Sequence, residues 1–216
     1  MNLFNEDGIW GRTFNFLGQL IALNLLWMVC SIPVITVGTS TTALYYCVLK
    51  LKKDGDCSIW KQYWKSFRQN FIQSTIIWIG ILVIALCLWM EWRAASVASG
   101  GLGTIITYIV GAMAVLLVIV ALYIFPIVAA FENKISKLLT HVVYFGTKNI
   151  GYVIVIAIIT ILPMYFTLLD TEMFPILLFV WLTCGFSLTA YANANFFWKL
   201  FQPFFPSDKK QNQEVQ

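Results

Sequence analysis

Five long stretches of this 216-residue chain carry no Asp, Glu, Lys or Arg. They lie between Arg12 and Lys50, Arg68 and Glu91, Arg93 and Glu132, Lys148 and Asp170, and Glu172 and Lys199. Each reaches the roughly 20 apolar residues that a helix needs to cross a hydrocarbon core of about 30 Å. Water does not solvate that much apolar surface, whereas lipid does. Lipid also demands that backbone polar groups be satisfied within each segment, and a helix does this. With 60% of residues hydrophobic and 11% charged, the expected fold class is all-α, a multi-pass transmembrane helical bundle.

The expected organisation is one transmembrane domain over residues 1–202, followed by a polar, disordered cytoplasmic tail over 203–216. About five spans are expected, near 14–37, 71–90, 104–131, 151–169 and 174–200. The uncharged run from Phe14 to Leu49 is long for one span and short for two. Pro33, Thr36, Gly38, Thr39, Ser40, Thr41 and Thr42 interrupt it. The first span is therefore expected to run to Val37 with Pro33 kinking its last turns. Residues 38–49 then form a short interfacial or re-entrant helix. A second interfacial helix is expected over 57–70. There Trp60, Tyr63, Trp64, Phe67 and Phe71 recur on one side, with Lys61, Lys65 and Arg68 on the other. A third, over 134–148, alternates Lys134, Lys137 and Lys148 with apolar residues.

Orientation follows from the distribution of Lys and Arg. Twelve lie in the segments after the first and third spans and at the C-terminal end, and two, Arg12 and Arg93, fall on the opposite side. The basic side is expected in the cytoplasm of a cell-membrane protein, next to anionic headgroups. Five crossings then leave the C-terminus cytoplasmic and the N-terminus outside. A full crossing by residues 38–49 would move the N-terminus inside. The first twelve residues hold Glu6, Asp7 and a lone Arg12, which does not resemble the basic start of a signal peptide.

Chemistry-bearing patterns are scarce. No ionisable residue falls deep within an expected span, where proton relays and ion coupling need one. The chain has one His, His141, and five Cys with no CxxC pair, so no metal or disulfide framework is expected. No phosphate-cradling glycine loop is present, nucleic acid is not an expected partner, and no catalytic residue or cofactor is assigned. The neutral polar residues of the spans have two readings. They hydrogen-bond between helices, or Asn24, Gln73 and Asn193 line a polar path for a solute.

The block Leu23-Asn24-Leu25-Leu26-Trp27-Met28-Val29-Cys30-Ser31-Ile32-Pro33-Val34-Ile35-Thr36-Val37-Gly38, followed by Thr41-Thr42-Ala43-Leu44-Tyr45-Tyr46, resembles the N-terminal signature of the YesL family of bacterial integral membrane proteins. Phe67-Arg68-Gln69-Asn70-Phe71-Ile72-Gln73-Ser74 is similar to that family's next block. Phe125-Pro126 with Phe131-Glu132-Asn133, and Tyr191 with Phe197 and Lys199, resemble weaker later blocks. The family-motif positions are thus Asn24, Trp27, Pro33, Thr36, Gly38, Thr42, Tyr45, Tyr46, Asn70, Phe71, Gln73 and Pro126. The resemblance implies a protein without an assigned reaction, encoded in Gram-positive bacteria near carbohydrate ABC importers. The expected function is a non-enzymatic membrane protein, accessory or regulatory to such an importer and contacting its subunits. Alternatives are a small solute transporter or channel and, further off, a membrane enzyme using Glu91, Arg93, Asp170 and Glu172.

Overall fold

The structure, a computed structural model, describes residues 9–55, 57–97, 101–131 and 135–204. The helices are α1 (Ile9–Ser31), α2 (Val37–Asp54), α3 (Ile59–Val97), α4 (Gly101–Ala130), α5 (Ile135–Lys148), α6 (Ile150–Leu169), α7 (Phe174–Val180) and α8 (Phe186–Phe201). A π turn, Trp181–Gly185, joins α7 to α8, and short 3-10 turns cover Val34–Thr36 and Gln202–Phe204. No strand occurs among the described residues. The expected tail beyond Phe204 lies outside them, as do Lys134, Lys209 and Lys210.

The bundle wears its apolar side chains outside. Ile76, Ile79, Val83 and Leu86 of α3 are exposed, as are Ile105, Ile109, Val115 and Leu116 of α4. Asn24, Thr39, Ser40, Thr42, Ser74, Ser187 and Asn193 are fully buried. A chain in water would pay heavily for an apolar exterior this extensive, and hydrocarbon removes that penalty. Six helical segments among the described residues are long and apolar enough to cross a membrane: Gly11–Ser31, Val34–Asp54, Ile59–Val97, Gly101–Ala130, Ile150–Leu169 and Phe174–Phe204. The molecule is an all-α multi-pass helical bundle of the membrane type.

The second of these segments, Val34–Asp54, replaces the short interfacial or re-entrant helix expected over 38–49. Two-thirds of the Val34–Asp54 window (67%) is buried inside the bundle, against 6 to 17% for the other five. The uncharged run from Phe14 to Leu49, long for one span and short for two, thus holds most of two helices, because Val34–Asp54 extends past Leu49 to Asp54. Thr39, Ser40 and Thr42 face α3, and α2 is the central helix. Pro33 ends α1 outright instead of kinking it: α1 stops at Ser31 and a 3-10 turn follows. Proline supplies no N–H and disfavours helix in the residue before it. Thr36 Oγ1 then satisfies the frayed end, lying 2.6 Å from the Cys30 carbonyl and 2.7 Å from that of Pro33.

The interfacial helix expected over 57–70 is not separate from the span expected over 71–90. Both belong to α3, whose 39 residues run without a break for about 58 Å. The aromatic side of its first turns is divided: Tyr63 and Phe67 pack inward while Trp60 stays exposed. Tyr63 is fully buried and its hydroxyl lies 2.6 Å from Ser40 Oγ, while Phe67 rests against the core. By contrast, α5 is the expected amphipathic helix: Leu138, Val142 and Phe145 are buried at i, i+4 and i+7, with Lys137 exposed.

Phe16 of α1 sits edge-on to Tyr191 of α8 at 4.9 Å, and Lys52 Nζ of α2 lies 5.4 Å from the same ring. The first turns of α1 and the end of α2 therefore occupy one end of the bundle. The five-span scheme put Arg12 and Lys52 at opposite ends. Contact through Tyr191 brings them to the same one.

At Gly38 α2 packs closely against α3 and α4. A Cβ there would lie 2.6 Å from Trp78 Cβ and 2.8 Å from both the Phe125 ring and the Ser74 carbonyl. Two of these neighbours are main chain or Cβ and cannot swing aside. Gly38→Ala is expected to destabilise the bundle by roughly 1–3 kcal/mol through overpacking. Thermal unfolding of the detergent-purified protein tests this, with Gly80→Ala, where a Cβ meets nothing within 4 Å, as the silent control.

Candidate functional site

The motif residues converge on two polar constructions inside the bundle. The first is a seam between α2 and α3. Thr42 Oγ1 lies 2.9 Å from Ser74 Oγ, and Thr39 Oγ1 lies 3.0 Å from Thr75 Oγ1 while donating to the Phe71 carbonyl at 3.2 Å. Ser40 Oγ bridges Tyr63 to the Trp27 carbonyl at 3.0 Å. Gly38 lets the two backbones close to this distance, and the hydroxyls of α2 then reach α3 instead of lipid. Trp78 Nε1 donates to the Val34 carbonyl at 2.7 Å, which ties the 3-10 turn to the same face.

The second construction is the π turn. A π turn disturbs the regular helical hydrogen-bond ladder and often marks a functional position. Asn24 of α1 meets it with both halves of its amide. Its Nδ2 donates to the Trp181 and Leu182 carbonyls at 3.0 and 2.9 Å, and its Oδ1 accepts from the Ser187 N–H at 3.1 Å. Gly185 is required at this turn, because a Cβ would lie 2.5 Å from the Trp181 ring folded across it. Trp181 Nε1 in turn donates to Thr167 Oγ1 of α6 at 2.9 Å. Trp27 stacks on Phe186 at 4.2 Å and donates to Thr41 Oγ1 at 3.1 Å, so both elements share one aromatic wall.

Beside that wall is a cavity of about 150 Å³, lined by residues that include Trp27, Thr41, Tyr45, Thr160, Trp181, Phe186 and Thr189. Asn193 sits behind two of them, its Nδ2 donating to Thr160 Oγ1 at 2.8 Å and to the Tyr45 hydroxyl at 3.4 Å. Asn193 Oδ1 and the Tyr123 hydroxyl are both buried and find no partner among the described residues. Buried polar atoms in that state are uncommon.

Asn24, Gln73 and Asn193 do not together line this space. Asn24 is occupied by the π turn, Gln73 is half-buried on α3, and Asn193 lies behind the wall. Among the remaining motif positions, Pro126 is buried within α4, and Asn70 Nδ2 turns back to the Ser66 carbonyl at 3.1 Å. Tyr46 lines an open cleft of about 310 Å³ with Lys50, Lys53, Asp54 and Trp198. Sequence reasoning missed Trp181, Gly185 and Thr167, because a π turn has no side-chain signature. Of the four residues considered for an enzyme, Asp170 accepts from the Glu172 and Met173 N–H groups, both at 3.1 Å, which shapes the turn into α7. Arg93 stands over Trp89, its guanidinium carbon 6.0 Å from the ring centre. No group of three His, Cys, Asp or Glu able to hold a metal exists among the described residues.

These features define the class: a helical membrane bundle whose interior polar groups bind helix to helix. The family described as "Protein of unknown function, DUF624" matches residues 20–92, which take in the second half of α1, all of α2 and α3 as far as Trp92. The matched region thus contains the whole α2–α3 seam and Asn24. No curated protein and no solved structure matches the chain.

Two outcomes are expected. Asn24→Leu leaves two carbonyls of the π turn and the Ser187 N–H of α8 without their side-chain partner, and should cost about 1–3 kcal/mol in unfolding experiments. A double-mutant cycle of Thr42→Val with Ser74→Ala should return a coupling near ~0.6 kcal/mol, the usual size for such pairs between membrane helices. A coupling of zero would remove the seam from the account of stability.

Proposed function

We propose that the chain is a non-enzymatic cell-membrane protein, accessory or regulatory to a carbohydrate ABC importer. The observation that carries the non-enzymatic half is the use made of its polar groups. Inside the bundle, hydroxyls and amides pair helix with helix, as at Thr42–Ser74 and Asn24–Ser187. Charged groups such as Lys61, Lys65, Arg68 and Lys137 stand exposed, where a partner reaches them. The open cleft formed by Tyr46, Lys50, Lys53 and Trp198 suits contact with an importer subunit. The carbohydrate half rests on the resemblance of the Asn24–Tyr46 block to the YesL family, an association and not a mechanism.

In this reading the end of the bundle that holds Lys50, Lys52 and Lys53 faces the cytoplasm. Because α1 starts at that end, the N-terminus belongs in the cytoplasm together with the C-terminus, in place of the outside location inferred from five spans. A second reading, a small transporter, is favoured by one observation: the cavity beside the π turn, backed by the unpartnered Asn193 Oδ1.

Three measurements separate these readings. Gentle detergent extraction from the native membrane should recover importer subunits, and repeated absence of any would count against the accessory role. A reporter fused to the C-terminus, and a single cysteine placed at Arg12 in a chain whose five native cysteines are replaced, should both be shielded from a membrane-impermeant reagent in intact cells. Thr189→Trp, which fills the cavity, should leave the accessory phenotype unchanged; loss of solute uptake into vesicles holding only this protein would establish the transporter instead.

A further inference from the structure

The first turns of α3 bring two kinds of surface together. Lys61, Lys65 and Arg68, spaced i, i+4 and i+7, are exposed on one strip. With Trp60 and Trp64 they line an open hollow of about 550 Å³. The same two tryptophans, 6.1 Å apart edge to face, also wall a second hollow of about 490 Å³. Its other walls are apolar, among them Leu25 and Val29 of α1 and Ile59 of α3. Among the described residues no carboxylate lines either hollow. Trp60 is 68% exposed and Val29 63%, so both parts are open to whatever surrounds the protein.

Three cations therefore stand at the mouth of an apolar trough, with indole rings on the boundary between them. Indoles favour that boundary, where one edge meets hydrocarbon and the other meets water. An inorganic anion satisfies only the cationic part and a neutral chain only the trough. An amphiphile with an anionic head satisfies both. We propose that this composite groove binds one anionic glycerophospholipid, its phosphodiester on Lys61, Lys65 and Arg68 and one acyl chain lying between α1 and α3. This rests on the reading of the chain as a membrane bundle. It goes further by naming a discrete site, distinct from a diffuse attraction of the basic end to charged lipid.

The test uses the full chain purified in mild detergent. Thermal stabilisation and native mass spectrometry are followed on titration with phosphatidylglycerol, with phosphatidylcholine of the same acyl chains, and with inorganic phosphate. Phosphatidylglycerol should bind as a single retained lipid and raise the melting temperature, with the other two weaker by at least tenfold. The exposed triple variant K61Q/K65Q/R68Q should lose that preference while its lipid-free melting temperature stays unchanged. Val29→Trp, which fills the trough, should weaken phosphatidylglycerol binding with all three cations still in place. Equal binding of the two lipids, an unaltered preference in the triple variant, or inorganic phosphate binding as tightly as the lipid would each overturn the proposal. Fractionation of the same cells tests the membrane reading by itself: a chain recovered in the membrane pellet that shows no lipid preference defeats the groove alone.

Discussion

The close approach of α2 to α3 at Gly38 is the constraint on which the bundle depends. Without a Cβ at this position the two backbones come near enough for Thr39, Ser40 and Thr42 to reach partners on α3. In hydrocarbon there is no water to expel between helices, so association relies on close contact and interhelical hydrogen bonds. Each bond is worth little by itself. Together they bury a helix whose Ser and Thr content would suit it poorly to a lipid-facing position, and the other five candidate spans are arranged around it or beyond it.

The Asn24 amide has the same role on the opposite side of the bundle. A π turn gives α8 an irregular patch of main chain, and a side chain with one donor end and one acceptor end can match it. Trp181 and Thr167 continue the attachment to α6. The cavity at this junction lies next to the π turn, where a long apolar helix departs from regular geometry.

The two ends of the molecule differ in character. At the end where α1 begins and α2 finishes, Lys52 stands over Tyr191, and Phe131 stacks with His141 and packs edge-on against Phe201. Beside the later turns of α1, Lys61, Lys65 and Arg68 stand exposed at an apolar trough, a second place where charge and apolar surface meet. Towards the other end, α3 and α4 expose Val97, Leu102 and Ile105 together with Trp89, Glu91, Trp92 and Arg93.

The sequence by itself determined the solvent and the secondary structure. Uncharged runs of spanning length admit only helices in a bilayer, and the boundaries at Ala130, Leu169 and Phe174 follow from the charges and turn residues beside them. Only the tertiary structure decided what surrounds each helix. The segment Val37–Asp54 has the composition of an interfacial helix and is central because its neighbours, not lipid, receive its hydroxyls. Trp60 to Phe71 shows an aromatic side that suits headgroups equally well, yet Tyr63 points into the core because Ser40 waits there. The partners of Asn24 lie some 160 positions away in the chain, and a π turn leaves no periodicity to read. Periodicity reports which face of a helix is apolar. In a membrane both lipid and protein accept an apolar face, so contacts between helices alone tell them apart.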